Sequence, residues 1–173
     1  MTTPSRPSGV TLRFLAEPTM VNFGGKVHGG QVMKWIDQAG YSCAAGWTGT
    51  YCVTAYVHGI RFLQPISVGE LVEVRAQVIR TGRTSLDVAI DIYAASPRET
   101  VKRRSCHCVM VFVSIDDAGK PRPVPAWAPG TPVEQALADW ATRLSEIRKE
   151  LDHEIETRLA GLDQLPPAVA PRA

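Results

Sequence analysis

The sequence predicts an α+β fold in which a curved antiparallel sheet wraps around one long buried helix and a second helix follows the sheet. Apolar residues recur every three or four positions from Gly29 to about Gly46 and again over residues 131–159, as they do on helices that bury one face. Between these two stretches the apolar period falls to two, which indicates strands. A single apolar helix ahead of several strands is buried by lying across the sheet that they form.

The first half of the chain is predicted to supply one strand, the buried helix and a long second strand. Residues 9–16 form the first strand, which Pro18 ends, and residues 51–66 form the second, which ends at Pro65. The apolar positions of the helix are Val32, Trp35, Ile36, Ala39 and Cys43, with small residues at Gly40 and Ala44 where a sheet can come close.

Three more strands are predicted over residues 70–81, 85–96 and 101–116. The first two alternate apolar and polar positions, whereas the third becomes apolar on both faces, as a central, covered strand should. Because the turns are short, we expect the four strands from residue 51 onward to be joined by hairpins and to pair antiparallel. Such a sheet curls around the helix as it twists, which is the architecture of a hot-dog fold.

The chain is accordingly divided into one domain and an appendage. The apolar stripe of the C-terminal helix is expected to pack on the outer face of the sheet, with another subunit as the alternative. The proline-rich segment ahead of it is typical of an extended linker, and the last residues of a disordered tail. The predicted divisions are a hot-dog domain over residues 9–118, a linker over residues 119–130, the helix over residues 131–160 and a disordered tail over residues 161–173.

The composition is that of a soluble globular protein, with 45% hydrophobic and 21% charged residues. The net charge of +2 is too small to favour nucleic acid as a partner, and no apolar run approaches the roughly 20 residues of a membrane span. The first residues lack the apolar core of a signal peptide, so a reducing cytoplasm is the expected location. Positions 1–130 carry 14 basic and 9 acidic residues, which fits a body that binds a small anion, although a solvated surface explains the same charges.

The four cysteines are predicted to be small core residues. Cys106 and Cys108 flank His107, but on a strand the two thiols face one side and the imidazole the other. No second pair of ligands follows at a spacing typical of zinc sites, so no metal is expected.

Two stretches carry a resemblance to a known family. They read NFGGKVHGGQVMKWIDQAG from residue 22 and HGIRFLQPISVGELVEV from residue 58. Together they resemble the acyl-CoA thioesterases of the hot-dog superfamily, among them the brain-type acyl-CoA hydrolases and the bacterial short-chain acyl-CoA thioesterases. The resemblance covers roughly residues 10–116 and leaves out the C-terminal helix. The matching positions are Asn22, Gly25, Val27, His28, Gly29, Gly30 and Asp37 in the first stretch, and Phe62, Leu63, Pro65, Val68 and Gly69 in the second.

Asp37 is the candidate catalytic carboxylate because it stands in the middle of an otherwise apolar helix. A buried carboxylate costs several kcal/mol unless it is paired or protonated, so stability alone does not explain it. Hydrolysis of a thioester needs a base that takes a proton from the attacking water, and Asp37 can supply one. The alternative is that Asp37 lies at a wet edge of the helix.

The start of the same helix offers donors for the oxyanion that develops on a thioester carbonyl. Gly29 and Gly30 supply the first helical amides, which lack internal partners and carry the positive end of the helix dipole. His28, just ahead of them, is expected to contact the same carbonyl or to act as a base, with a wall of the pocket as the alternative. A simple loop-to-helix turn is the alternative.

Asn22 on its own is typical of a turn, and its predicted role comes from the resemblance. In the family, the matching asparagine and aspartate form the catalytic pair and come from opposite subunits of a dimer. The resemblance therefore implies that Asn22 of one chain orients the water or the carbonyl for Asp37 of another. The sequence leaves open whether Asp37 acts as general base or as nucleophile.

The phosphates of coenzyme A favour cations, and two basic clusters are candidates. One surrounds the turn at residues 82–85, where the resemblance places the coenzyme, and the other opens the last predicted strand, where a solvated strand end is the alternative. We expect the two clusters to lie near one another or near a neighbouring subunit. The candidate coenzyme-binding residues are Arg80, Arg83, Thr84, Ser85, Arg103 and Arg104.

The resemblance implies an enzyme that hydrolyses a fatty acyl-CoA to free fatty acid and coenzyme A, with no metal or redox cofactor. It also implies self-association, at least as a dimer and in relatives often as a hexamer built as a trimer of dimers. One alternative is a hot-dog dehydratase or hydratase, which would show a histidine–acid pair or a D-x-N-x-x-H motif, and neither is visible. Another is a non-catalytic acyl-CoA-binding regulator, which would lack the acid and carry a DNA-binding segment.

Overall fold

The computed structural model of the chain describes residues 6–162, with side chains for residues 6–160. Helix α2 continues to Leu162, and the rest of the tail predicted to be disordered lies outside the described residues. The elements are β1 (Gly9–Leu15), a 3-10 turn (Pro18–Met20), α1 (Gly29–Thr48), β2 (Cys52–Phe62), β3 (Leu71–Thr81), β4 (Ser85–Ala95), β5 (Arg103–Ser114) and α2 (Pro132–Leu162).

The strands form one antiparallel sheet in the order β1–β3–β4–β5–β2, which confirms the predicted fold class. The hairpins that join β3, β4 and β5 are as expected, but the hairpin expected between β2 and β3 is wrong, because β2 pairs with β5. The connection over residues 63–70 crosses the ends of β5 and β4 instead. Arg103 holds this crossing by donating hydrogen bonds to the carbonyl oxygens of Pro65 (2.8 Å) and Ala94 (3.4 Å).

Helix α1 packs on one face of the sheet through the residues that its apolar period predicted. Trp35, Ile36 and Ala39 are at most 1% exposed and belong to the main core. The close approach expected at Gly40 is confirmed, since a Cβ added there would stand 2.8 Å from the Phe112 ring of β5. The sequence of α1 thus fixes which of its faces meets the sheet.

Helix α2 packs on the opposite face of the sheet, called the outer face below, as expected. Its buried Ala141 and Leu144 contact a second, smaller apolar cluster on that face. This cluster draws one residue from each of three neighbouring strands, namely Ile79, Ala89 and Val109.

The proline-rich linker ahead of α2 is fixed to the body by two tryptophans. The indole Nε1 of Trp47, near the end of α1, donates a 3.0 Å hydrogen bond to the carbonyl oxygen of Pro125. The backbone amide of Trp127 donates one of 3.0 Å to Thr81 Oγ1. The linker therefore lies at the end of the sheet where β3 turns into β4.

The cysteines occupy the positions that strand geometry predicted. Cys106 and Cys108 are buried in the core on the α1 side, whereas His107 is on the outer face, where it contacts Asp91. All four cysteines are free thiols. Among residues 6–162 there is no group of three or more His, Cys, Asp or Glu side chains placed to bind a metal ion. Over the same span, no helix combines the length and the apolar character needed to cross a membrane.

Candidate active site

A cavity of about 410 Å³ opens where β2 ends and α1 begins. Asn22, Lys26 and Ser105 contribute polar groups to its wall. A cavity of this kind suits a largely apolar ligand that carries a polar group at one end. Most of the wall is apolar and comes from Val27, Val32, Phe62, Leu63, Pro65 and Ile66.

Asn22 shapes the loop ahead of α1. Its Oδ1 accepts hydrogen bonds from the amides of Gly24 (2.9 Å) and Lys26 (3.3 Å), and its own backbone amide donates to the Lys26 carbonyl oxygen (2.8 Å). The Nδ2 group donates to no other atom within the described part of the chain, which leaves it available to a ligand. Asn22 is therefore the turn residue that its type favours and also a polar group of the cavity wall.

His28 caps α1 through its ring. Its Nδ1 accepts hydrogen bonds from the amides of Gly30 (2.9 Å) and Gln31 (3.3 Å), so the neutral ring carries its proton on Nε2. A Cβ at residue 30 would lie 2.6 Å from His28 Cε1, so this cap requires glycine. The cap uses the Gly30 amide as a donor, so that amide is not available to a ligand. The Gly29 amide remains as the donor at the helix start, and Gly29 lies beside the Phe62 ring on the cavity wall.

Asp37 is exposed, so the expectation of a buried carboxylate is wrong for the single chain. The sheet covers only the side of α1 that carries Trp35, and Asp37 lies on the uncovered side with Met33 (46% exposed) and Tyr41 (38% exposed). Asp37 Oδ1 accepts a 2.8 Å hydrogen bond from Thr54 Oγ1 on β2. The acid thus stands at a helix edge, next to the strand that ends the sheet.

The cavity and the Asp37–Thr54 pair lie at different places along β2 and α1. Phe62, the last residue of β2, lines the cavity, whereas Thr54 is close to the start of the strand. On α1, Asp37 comes eight residues after Gly29, which is about 12 Å along the helix axis. Asp37 is not among the residues that line the cavity. Within one chain the structure therefore brings Asn22 to Gly29 but does not bring Asp37 to either.

The candidate coenzyme-binding residues form two groups at opposite ends of β4. Arg80 and the turn residues Arg83, Thr84 and Ser85 lie where β4 begins, whereas Arg103 and Arg104 open β5 and pair with the far end of β4. The expectation that the two clusters lie near one another is therefore wrong within one chain. A neighbouring subunit is the alternative that stays a prediction.

The side chain of Arg83 is exposed and forms no ion pair with any other residue of the described span. It is the candidate whose guanidinium stays available for a phosphate. The other three arginines hold carboxylates within the chain, and the pKa of Glu70 is lowered by its hydrogen bond from Arg103. These pairs are Arg80 with Asp87 (2.9 Å), Arg103 with Glu70 (2.6 Å) and Arg104 with Asp91.

Two residues of the candidate site were not identified from the sequence. Thr54 contacts Asp37 only because β2 lies beside α1. Ser105 is 1% exposed and lines the cavity, and its Oγ has no hydrogen-bond partner among residues 6–162. It occupies the extra position of a bulge in β5, between the partners of Tyr93 and Ile92. A serine or threonine in a strand carries no signal of such a role.

Cys106 also lines the cavity, but its thiol is not an activated nucleophile. Burial raises the pKa of Cys106 to about 11, so the thiol is protonated at neutral pH. A protonated thiol does not accept a proton from water, so Cys106 is not a candidate for the base.

Comparison with known proteins identifies the family of the chain. The family model described as Thioesterase superfamily matches residues 24–101. The acyl-CoA thioester hydrolase YciA of Escherichia coli (strain K12) is 32% identical over 128 residues, which cover 72% of this chain and 97% of that relative. The chain belongs to the thioesterase superfamily. Protein VdlD of Helicobacter pylori (strain 26695) is 33% identical to this superfamily member over 139 residues, 79% of this chain and 78% of VdlD.

Solved structures of other thioesterases share the fold of this superfamily member. An acyl-CoA hydrolase from Staphylococcus aureus, in complex with butyryl coenzyme A, coenzyme A and coenzyme A disulfide, has a TM-score of 0.83 and 28% identity, covering 91% of this chain and 96% of its own. A hexameric thioesterase from Yersinia pestis has a TM-score of 0.64 and 35% identity, covering 70% of this chain and 100% of its own.

Three further structures of the Staphylococcus aureus enzyme carry single alanine substitutions. The replaced residues are an asparagine, an aspartate 15 positions later and a threonine 17 positions after that. These structures are 27% identical to this thioesterase-superfamily chain, with TM-scores of 0.85, 0.82 and 0.82, and cover 88–91% of this chain and 94–95% of their own.

Proposed function

We propose that this chain hydrolyses acyl-CoA thioesters and that two copies share each active site. The observation that carries the proposal is the 2.8 Å hydrogen bond from Thr54 to Asp37 on the uncovered side of α1, beside the end strand β2. Asn22, Asp37 and Thr54 follow one another at intervals of 15 and 17 residues, the same intervals as the three residues replaced in the Staphylococcus aureus acyl-CoA hydrolase. The agreement in residue type and spacing supports these three as one catalytic set.

Pairing of β2 with the β2 of a second copy completes the proposed site. β2 ends the sheet, so one of its edges has no partner strand within the described chain. In an antiparallel two-fold pair, the start of one β2 lies beside the end of the other. The cavity with Asn22, at the end of β2, then faces the Asp37 and Thr54 of the partner, which lie near the start of that strand.

The same pairing supplies the cations for coenzyme A. The turn between β3 and β4 lies at the end of the sheet where β2 begins, since Ser85 pairs with Val113 and Cys52 pairs with the next residue of β5. Two-fold pairing therefore moves this turn of one copy towards the cavity of the other. Arg83, with Thr84 and Ser85, is the proposed phosphate contact, and Lys26 adds a cation on the cavity wall.

Asp37 is proposed to activate a water molecule. Its carboxylate takes one proton as the water oxygen bonds to the thioester carbonyl carbon, and Thr54 holds the carboxylate in place. The carbonyl electrons move to oxygen, where the Gly29 amide and Asn22 Nδ2 donate hydrogen bonds. Collapse of this intermediate breaks the carbon–sulfur bond, and the leaving thiolate receives the proton from Asp37. The alternative in which Asp37 itself attacks, forming an anhydride that water then opens, uses the same residues.

Hydrolysis assays on Asp37 and Thr54 variants test this proposal. Asp37→Asn keeps the size of the side chain and removes the base, so we expect thiol release from acyl-CoA to fall about a thousand-fold. Thr54→Val is expected to lower kcat by about 10- to 100-fold with little change in KM, because the hydroxyl acts on Asp37 rather than on the substrate. Thr54→Ser, which keeps the donor, is the matched control. Undiminished hydrolysis by folded Asp37→Asn protein would refute the proposal.

A further inference from the structure

Helix α2 crosses the outer face of the sheet from one side to the other. At its start, Glu134 accepts a hydrogen bond of 3.4 Å from Gln77 on β3. Near its middle, the guanidinium of Arg148 lies over the ring of Tyr56 on the end strand β2, 5.2 Å from the ring centre. Between these two contacts, the buried face of α2 meets β3, β4 and β5 through Leu137, Ala141 and Leu144.

Because β2, which lies under Arg148, is the last strand on this side of the sheet, α2 beyond Arg148 runs past the sheet edge. The helix continues for fourteen residues to Leu162, about 21 Å at the usual rise per residue. All side chains of residues 153–160 are exposed. This segment, residues 149–162, is called the overhang below. It carries three large apolar side chains that are about half exposed, Leu151 (46%), Ile155 (45%) and Leu159 (54%).

The apolar residues of the overhang continue the face with which α2 binds the sheet. Leu137, Leu144 and Leu151 follow one another at intervals of seven residues, or two helical turns, and Ile155 and Leu159 follow at intervals of four. When the apolar stripe of a helix continues past the sheet that it packs on, a second surface is expected to cover the rest of the stripe. That surface has to lie at the same height as the outer face of the first sheet. The occupant of the overhang must therefore continue the outer face of the sheet.

A second copy paired along β2 provides such a surface. Tyr56, where α2 leaves the sheet, is adjacent to Val57, the middle residue of β2 (Cys52–Phe62). A two-fold axis that pairs two β2 strands about their middle therefore passes close to this crossing point. The overhang of each copy then lies over the outer face of the other, and the two α2 helices run antiparallel side by side.

Charge also favours a second copy as the occupant. Arg61, on β2, lines a small cavity of about 100 Å³ under α2 together with His58 and His107. Arg61 forms no ion pair with any other residue in the described part of the chain. An acidic helix laid over this edge of a partner meets a cation. The overhang has a net negative charge. Its basic residues are Lys149 and Arg158, and its acidic residues are Glu150, Asp152, Glu154 and Glu156.

We propose that the overhang of α2 packs on a second copy of the chain, antiparallel to the α2 of that copy, and fastens the two copies across their paired β2 strands. The inference rests on the two-copy site of the proposed function and adds an interface that the catalytic residues do not require. Symmetry about the peptide bond between Ile147 and Arg148 places Trp140 (46% exposed) of one copy against Ile155 of the other. The Ile147 side chains (40% exposed) of the two copies then meet near the axis.

Cross-linking of single-cysteine additions in the full chain tests this contact. Ile147→Cys is expected to give a covalent dimer with a short bis-maleimide. Lys149→Cys, nearly opposite on the helix, is the control and should react across the pair about ten-fold more slowly. The four native cysteines are buried, so their own reaction should be small. Equal cross-linking of the two variants, or none with Ile147→Cys, would overturn the inference.

Dissociation of the pair on dilution gives an independent test. The double variant Leu151→Gln with Ile155→Gln is expected to weaken the dimer about 10- to 100-fold by removing two apolar contacts. The double variant Lys149→Gln with His153→Gln, on the other side of the helix, is expected to dissociate like the unmodified chain. Thiol release per intact dimer should be the same in both, because none of the four residues belongs to the proposed site.

The outcomes separate this inference from the proposed function. If the unmodified chain is monomeric at every concentration, both the shared site and the helix contact are contradicted. If the chain forms a dimer that hydrolyses acyl-CoA, and both double variants dissociate to the same extent, only the helix contact is contradicted. Loss of a larger assembly with an unchanged dimer in the Leu151 and Ile155 variant would also overturn the inference, because the stripe would then join dimers.

Discussion

Glu73 on β3 is a buried carboxylate held by three cations. Its oxygens accept hydrogen bonds from Lys102 Nζ (2.6 Å), Arg13 Nε (2.9 Å) and Arg75 Nη2 (2.6 Å). The Lys102 ammonium and then the Arg13 guanidinium lower the pKa of Glu73 to about 2 from an ordinary 4.5, against burial, which raises it. Ionised Glu73 therefore stabilises the fold fully above about pH 4.5.

The contribution of Glu73 is expected to be lost as the pH falls from about 4.5 towards 2, because the unfolded chain binds a proton in that range and the folded chain does not. Glu73→Gln should lower the free energy of unfolding by roughly 1–3 kcal/mol at pH 7, since the cations are partly exposed and screened. It should also reduce the loss of stability between pH 7 and pH 3, as measured by urea unfolding. Equal behaviour of the exposed control Glu17→Gln would contradict this account.

Arg83 is predicted to bind a phosphate of coenzyme A. Arg83→Ala should raise KM for acyl-CoA about ten-fold and leave KM for an acyl-pantetheine unchanged, because only the coenzyme carries phosphates. Arg103→Ala is the matched comparison, since that guanidinium is committed to Glu70 and to backbone carbonyls and its loss should affect stability. Steady-state thiol release with both substrates measures the difference. If Arg83→Ala affects both substrates equally, it does not contact the phosphates.

Asp37 shows what residue-level reasoning could and could not predict. Its position in an apolar helix identified it as a candidate acid, and the periodicity correctly predicted that Trp35 and Ile36 face the sheet. The exposure of Asp37 was predicted only as the alternative, a wet edge of the helix, because the pattern does not tell which side of a helix its own sheet leaves uncovered. The contact with Thr54 was equally hidden, since it depends on where β2 lies in the sheet.

At the level of elements, the packing of α1 depends on a glycine. A Cβ at Gly40 would stand 2.8 Å and 2.9 Å from two atoms of the Phe112 ring, whereas a Cβ at Gly46 in the same helix would have nothing within 4 Å. Gly40→Ala is therefore expected to lower the free energy of unfolding by roughly 1–3 kcal/mol. Gly46→Ala is expected to raise it by roughly 0.5–1 kcal/mol, as helix propensity favours alanine. Effects of the same sign in urea unfolding would contradict this packing.

The elements themselves were largely predictable, because helical and alternating periods are local properties of the chain. The partner of β2 was not, since pairing with β5 joins residues that are far apart in sequence. Two irregularities in β2, between Thr54 and Tyr56 and between Val57 and Ile60, also break the alternation that would show which of its residues face α1. Ser105 reached the cavity wall through a similar bulge in β5.

At the scale of the whole molecule, the proposed catalytic residues form two groups at different places along β2, which is one of the two edge strands of the sheet. The cavity with Asn22 and Gly29 lies at one end of β2, and Asp37 with Thr54 lies towards the other. The family resemblance could predict that two chains cooperate. The strand order supports that prediction, because it places β2 at an edge of the sheet and Asn22 and Asp37 lie apart within one chain.

Mixing two inactive variants tests the shared site most directly. Asn22→Ala and Asp37→Ala chains are each expected to lack hydrolysis. When the two are unfolded and refolded together, about half of the dimers contain one chain of each kind, and each of these has one site with both residues intact. About a quarter of the unmodified thiol-release activity should therefore return. If mixed dimers are demonstrated by mass and no activity returns, Asn22 and Asp37 do not act across two chains, and the account is contradicted.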